Sequence, residues 1–376
     1  MDKNFKRKIS ILAIALVLTS TYAVSAIVTH MESDFGISRT FSENLISLPS
    51  LFILIMTLFS ESITRKIGMR ACVLFGLSLV FLSGILPIIF KSLISVVSSR
   101  VFLGLGIGFF CSHSANYINF FYKDYEKERL QGIRNSMEFT GQILLLLIAG
   151  LLIKINWIYS FAIYTLAILI LILFYRNVED VGFEKSQDKI RINSRVVLFM
   201  AISAFCIMDI TAMTIRFAPI AEMNLGANTN VSAYLALIPL VGMACGFFYG
   251  KVYERFKNNT VIIGLVIYTI TNIVISFSEK NFPLFLISTL LVTIAQSMVM
   301  PYMFSNASKL VDKSSARFAT NMMFVACNLG AFSAALVINS FSSLIGTKSL
   351  SLGFLIFSIF SFILCLLFKK FASKKS

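Results

Sequence analysis

"ESITRKIGMR" (Glu61–Arg70) and "GKVYERFKNN" (Gly250–Asn259) are short basic stretches, each wedged between long apolar runs, and the second starts 189 residues after the first. Their surroundings say what they are. Of 376 residues, 57% are hydrophobic and only 14% charged, with a mean hydropathy of +0.84. Soluble domains carry roughly 25% charged residues, so this chain is too apolar for water. A run of about 20 apolar residues crosses the ~30 Å hydrocarbon layer of a bilayer when helical. No water reaches backbone N–H and C=O groups there, so each run must pair them internally, as a helix.

Twelve such runs follow one another: residues 9–29, 42–61, 71–90, 93–121, 132–153, 156–175, 196–217, 231–250, 259–278, 282–306, 318–341 and 350–368. Only "KIN" (Lys154–Asn156) separates the fifth from the sixth. The longest polar stretch, "RNVEDVGFEKSQDKIRINSR" (Arg176–Arg195), sits at mid-chain. The expected architecture is an all-α polytopic membrane protein with 12 transmembrane helices. They fall into two six-helix bundles, residues 1–176 and 196–376, joined by a linker at 177–195. No room is left for a soluble catalytic domain.

A formal charge of +15 suggests nucleic acid until its distribution is read. Twenty-six of the 33 Lys and Arg residues lie at the two ends or in alternate connections, starting with Lys3, Lys6, Arg7 and Lys8. The other side holds five: Arg39, Lys91, Lys154, Lys280 and Lys348. Cations are retained on the cytoplasmic side during insertion, so the charge predicts topology: a multi-pass protein of the cell membrane with both termini cytoplasmic. Some attraction to anionic lipid follows, and no nucleic-acid partner. "KRK" followed by Ile9–Leu18 and "AVSA" (Ala23–Ala26) also fits a signal peptide. The internal repeat needs that segment as its first helix and decides against cleavage.

The repeat extends beyond the two basic loops. Pro49 in "SLPSLF" has a counterpart in Pro239 of "LIPLVG", 190 residues on. "ERLQGIRNSMEFTG" (Glu128–Gly141) is echoed by "ARFATNMMFVACNLG" (Ala316–Gly330), with Arg129 and Arg317 separated by 188. A parallel duplication of six helices is what a two-bundle transporter needs. With these residues in view, nearly the whole chain resembles the major facilitator superfamily. That family's loop between helices 2 and 3 runs G-x-x-x-D-R-x-G-R-[KR]. In the first copy Glu61 and Arg65 replace the Gly and Asp, while Lys66, Gly68 and Arg70 fit. The second copy keeps Gly250 and follows with Glu254 and Arg255. The family's fourth-helix motif is present as "RVFLGLGIG", with Arg100, Gly104, Gly106 and Gly108. The resemblance implies two bundles that rock, with Arg65, Lys66, Gly68, Arg70, Gly250, Glu254 and Arg255 as gating loops. The plainer reading is that these cations only enforce topology.

Ionisable groups inside hydrocarbon cost about 2.5–3.5 kcal/mol on insertion scales and need a partner or a task. Arg100 lies nine residues in from Lys91, and Asp209 fourteen in from Arg195. Those are depths of about 13 and 21 Å from opposite sides. The resemblance places helices 4 and 7 on the central cavity, so both residues are expected to face the transport pathway. Asp209 is the leading proton or cation acceptor. The alternative is a fixed pair, or an Asp209 satisfied by Arg216 two turns along the same face. Arg134 and Glu138 form an i,i+4 pair. His113 and Asn116 approach the same depth, which allows a proton relay from His113 to Glu138 or plain structural pairing. Tyr22, Ser25, Gln296, Asn321 and Asn328 are candidate hydrogen-bonding groups of a cavity, or glue between helices.

The six cysteines lack any Cys-x-x-Cys spacing, and only two histidines are present, so no metal or cofactor is indicated. No phosphate-binding loop occurs either. The expectation is a secondary active transporter of a small solute rather than an enzyme, acting as a monomer and coupled to protons. "GQILLLLIAG" (Gly141–Gly150) lacks the Gly-Pro that antiporters of the resembled family carry in helix 5. Even so, the absence of a dense polar cluster for sugars tilts the reading towards efflux. Uptake of a small organic anion, supported by Arg100 and Arg216, and a non-transporting membrane sensor remain the alternatives.

Overall fold

A computed structural model describes residues 3–181, 194–226, 229–307, 310–311 and 316–373. It contains 12 helices long and apolar enough to span a membrane. They run Lys3–Phe35, Arg39–Ser60, Met69–Phe90, Leu93–Phe121, Tyr125–Ile153, Trp157–Asn177, Ser194–Leu225, Val231–Phe256, Asn259–Ser276, Phe282–Ala307, Ala319–Leu344 and Leu352–Lys370. Two compact units, Met1–Lys185 and Ser186–Ser376, hold six spans each. The linker expected at 177–195 lies mostly outside the described residues; the sixth span ends at Asn177 and the seventh begins at Ser194.

Several helices run past the limits expected from hydropathy. The second continues to Ile67, the fifth starts at Asp124 rather than 132, and the eighth reaches Phe256. Hydropathy marks where hydrocarbon ends, whereas a helix ends only where capping or a turn stops it. At Gly68 the turn is a backbone at φ 86°, a region that favours glycine, and it leads directly into the third span. Asn156, in the three-residue break before the sixth span, caps that span by accepting from Ile158 N at 2.9 Å.

The larger difference is in the first span, expected as one helix over 9–29. It is α-helical over Lys3–Ala13 and Ala15–Leu18, drops into 3₁₀ turns at Ser20–Tyr22 and Ser25–Ile27, and resumes at Val28–Phe35. Neither Gly nor Pro lies in the break. Hydroxyl groups compete with the backbone ladder instead. Ser20 donates to Val17 O at 2.7 Å, and Thr19 donates to Glu138 O on the fifth span at 3.0 Å. Unwound backbone at membrane depth is tolerated where it is buried in protein, and Ser20, Ala23, Val24 and Ser25 are fully buried.

Both units pack through small residues at equivalent positions. A Cβ on Gly141 would strike the backbone of Leu16, and one on Gly330 would strike the backbone of Ala204. The first contact joins spans one and five, the second spans seven and eleven, and Gly330 follows Gly141 by 189 residues. Backbones that touch gain dispersion contacts where lipid offers no hydrophobic drive between helices. The duplication is thus visible in packing as well as in the basic loops.

Candidate functional site

In the first unit Arg100 is 1% exposed. Its guanidinium lies 4.9 Å from the ring centroid of Phe161 and 5.2 Å from that of Tyr164, both on the 3₁₀ opening of the sixth span. Its Nε, Nη1 and Nη2 make no well-formed hydrogen bond. Tyr164 donates to Ser20 O in the unwound part of span one at 3.2 Å, and Ser99 donates to Ser83 O at 2.6 Å. The cation is therefore held by aromatic faces among groups that offer it mainly carbonyl oxygens. Tyr22 pairs with Ser50 of the second span at 3.1 Å. Ser25 is buried with its hydroxyl unpartnered.

In the second unit Asp209 is fully buried. Asn272, on the ninth span, donates its amide to Asp209 Oδ2 at 2.8 Å and also to Tyr268 O at 3.0 Å. Asp209 Oδ1, Asn272 Oδ1 and the Tyr268 hydroxyl are buried without a hydrogen-bond partner. The expected alternative, satisfaction by Arg216, is not what the geometry shows. Arg216 donates to Asn339 Oδ1 on the eleventh span at 2.6 Å, and Asp209 makes no ion pair among the described residues. On the other side of the seventh span, Phe205, Met208, Leu329, Gly330, Ser333 and Ile363 help line an apolar cavity of about 270 Å³.

His113 and Glu138 are not brought together. His113 is buried, with Nε2 3.0 Å from Thr64 Oγ1 and Nδ1 3.4 Å from Ser112 Oγ. Glu138 pairs with Arg134 at 2.8 Å, and Arg134 also donates to Ser114 at 3.3 Å. The arrangement is structural pairing rather than a relay. Asn328 spends its amide on Phe324 O of its own helix at 3.0 Å. Asn116, Gln296 and Asn321 are half-buried.

The two basic loops differ. Arg70 donates its guanidinium to Tyr175 O at 2.6 Å and its backbone N–H to Asp180 Oδ1 at 3.3 Å. A Cβ on Gly68 would come within 3.0 Å of Asp180 Oδ2. Asp180, just past the sixth span, is thus the acid that seats the first loop within its own unit. Arg65 and Lys66 are exposed, as are Gly250, Glu254 and Arg255. Arg255 lies 5.8 Å from the ring centroid of Phe256.

Asn272, Tyr268 and Asp180 are the functional candidates that sequence reading missed, along with Glu43, a fully buried acid of the second span. A lone Asn in the apolar stretch "VIYTITNIVIS" was the available signal for the first. Among the described residues no group of three or more His, Cys, Asp or Glu could hold a metal ion.

The family model described as Major Facilitator Superfamily matches residues 10–261 and again 200–375. The chain belongs to the major facilitator superfamily. Solved structures of the same fold include a D-xylose–proton symporter, at TM-score 0.77 and 15% identity, covering 98% of this chain and 97% of that one. Another is a POT family transporter in complex with 5-aminolevulinic acid, at TM-score 0.83 and 13% identity, covering 99% and 96%. The inward-open xylose transporter XylE from E. coli aligns at TM-score 0.76 and 14% identity, covering 98% and 96%. No curated protein sequence matches the chain. For a major facilitator superfamily protein the doubled basic loop and the doubled glycine crossing are two records of one duplication. The buried charges are not doubled: they differ in sign between the halves.

Proposed function

We propose that this major facilitator superfamily protein is a secondary active transporter of a small solute. It works by alternating access, draws on the proton gradient, and moves its solute outward. Asp209 is the group that exchanges the coupling ion. The observation that supports this most is a fully buried carboxylate in mid-span with one hydrogen bond and one unpaired oxygen. Such a group is costly in a membrane and is retained for use. The protein is read as a monomer of the cell membrane with both termini cytoplasmic, by the loop charges.

A second reading, uptake of a small organic anion, is favoured by Arg100, whose guanidinium nitrogens stand without well-formed hydrogen bonds in the first unit. A thermal-shift screen over a solute panel, followed by flux in proteoliposomes with and without an imposed pH gradient, separates the two. The efflux reading requires flux driven by the gradient and lost in Asp209→Asn, with exchange of solute retained. Unchanged gradient-driven flux in that variant would remove Asp209 from coupling. Flux that needs Arg100 and is restricted to anions would favour uptake, and absence of flux for every solute would make the protein a sensor.

A further inference from the structure

The sequence carries no sodium-site pattern, but folding assembles one from spans that lie 63 residues apart. We propose that Asp209, Asn272 and Tyr268 form a sodium site inside the second unit, at which sodium competes with the proton. The inference rests on Asp209 as the ion-exchange group and names a second ion for it.

The argument starts from hydrogen-bond accounting. The Asn272 amide nitrogen is committed to Asp209 Oδ2 and to Tyr268 O. That leaves Oδ1 as the free end of the amide. Three oxygens in one linked cluster are then buried and unpartnered: a carboxylate Oδ1, an amide Oδ1 and a phenol Oη. A proton on Asp209 would satisfy one of them. A hard cation satisfies all three, because oxygen-only donor sets are what such ions take.

Charge selects the ion. The groups around the carboxylate are Asn272, Tyr268 and the Cys206 thiol one turn earlier on the seventh span; Arg216 is engaged with Asn339. One carboxylate balances one positive charge, whereas a divalent ion would leave a net charge buried at several kcal/mol. The first unit underlines the point. The repeat offset of 189 places Ser20 and Ser83 where the second unit has Asp209 and Asn272. Beside those serines sits Arg100, a fixed cation.

The test is binding to the full chain in nanodiscs, without transport. Thermal unfolding is followed at alkaline pH and constant ionic strength while choline is replaced by sodium or by potassium, with radiolabelled sodium binding in parallel. Ligand linkage predicts a Tm that climbs with the logarithm of sodium concentration and stays flat in choline. In Asn272→Ala the half-saturating sodium concentration should rise by at least about tenfold, and in Asp209→Asn the sodium response should vanish. Should Asp209→Asn fail to fold, Tyr268→Phe removes a single ligand oxygen and should weaken binding severalfold.

Equal Tm values in sodium and choline, or a sodium response that survives in both Asn272→Ala and Tyr268→Phe, would overturn the site. A potassium response equal to that of sodium would overturn the assignment of the ion. Sodium stabilisation in a protein that moves no solute supports the site and removes the transport reading. Gradient-driven flux without sodium stabilisation does the reverse.

Discussion

Asn272 donates its side-chain amide to the Asp209 carboxylate at 2.8 Å, tying the ninth span to the seventh deep in the apolar interior of the second unit. No other hydrogen-bond donor reaches that carboxylate among the described residues. The bond therefore carries both structural and functional weight.

Replacing Asn272 by Ala should cost about 1–3 kcal/mol, the penalty of leaving a buried polar group without its donor. Unfolding of the purified protein by denaturant measures it. A loss smaller than that of an exposed control such as Asn328→Ala would mean that water supplies the missing bond.

Arg100 rests on the faces of Phe161 and Tyr164. Lysine keeps the charge but not the flat, weakly hydrated surface that stacks. Arg100→Lys should lower stability by about 0.5–2 kcal/mol, and Phe161→Leu should remove most of the difference between Arg and Lys at position 100. A double-mutant cycle read by thermal unfolding checks this, and additivity of the two changes would refute the stacking.

Gly330 has no room for a side chain, since its Cβ would meet the carbonyl of Ala204. Gly330→Val should separate spans seven and eleven and abolish stable expression, as overpacking against backbone cannot be relieved by a rotamer change. Gly132→Ala, where a Cβ meets nothing within 4 Å, should be tolerated. Size-exclusion profiles of the two variants make the comparison.

Asp180 accepts from Arg70 N and from Val181 N, at 3.3 and 3.0 Å. Asp180→Ala should loosen the Gly68–Arg70 turn and speed trypsin cleavage after Arg65, Lys66 or Arg70 severalfold, with little change in Tm. Cleavage at the parent rate would show that Gly68 and the Tyr175 carbonyl hold the loop unaided.

Lys3 lies 2.7 Å from Glu179, with both side chains largely exposed. The hydrogen bond and charge of Lys3 hold the Glu179 carboxyl below its ordinary value. A depressed carboxyl contributes stability above its unfolded-state value and loses it as pH falls through the folded-state value. For so exposed a pair the contribution is small. Glu179→Gln should leave the acid limb of a Tm-against-pH curve unchanged within replicate scatter; a clear shift would mean that the pair is a structural tie.

Spans, their number and the duplication were legible because hydropathy and loop charge are local properties, written residue by residue. The same source announced Asp209 and Arg100 as anomalies, since an ion in an apolar run stands out wherever it points. Its limits show at Asn272. The seventh and ninth spans are apolar nearly all round, so nothing in the chain says which face of each turns inward or which neighbour it meets. The break in the first span was hidden likewise, because Thr19 leaves its own ladder for the Glu138 carbonyl of another helix.

What the sequence by itself determined was the solvent: a chain this apolar must pair its backbone in helices across a bilayer, twice six times, with its cations sorted to one side. What only the tertiary structure decided was the company each buried charge keeps, aromatic faces for Arg100 and an amide for Asp209. The reason is physical. Burial in lipid is set by composition along one helix, whereas a hydrogen bond or a stacked ring needs two helices in a particular rotation, and close packing chooses that rotation.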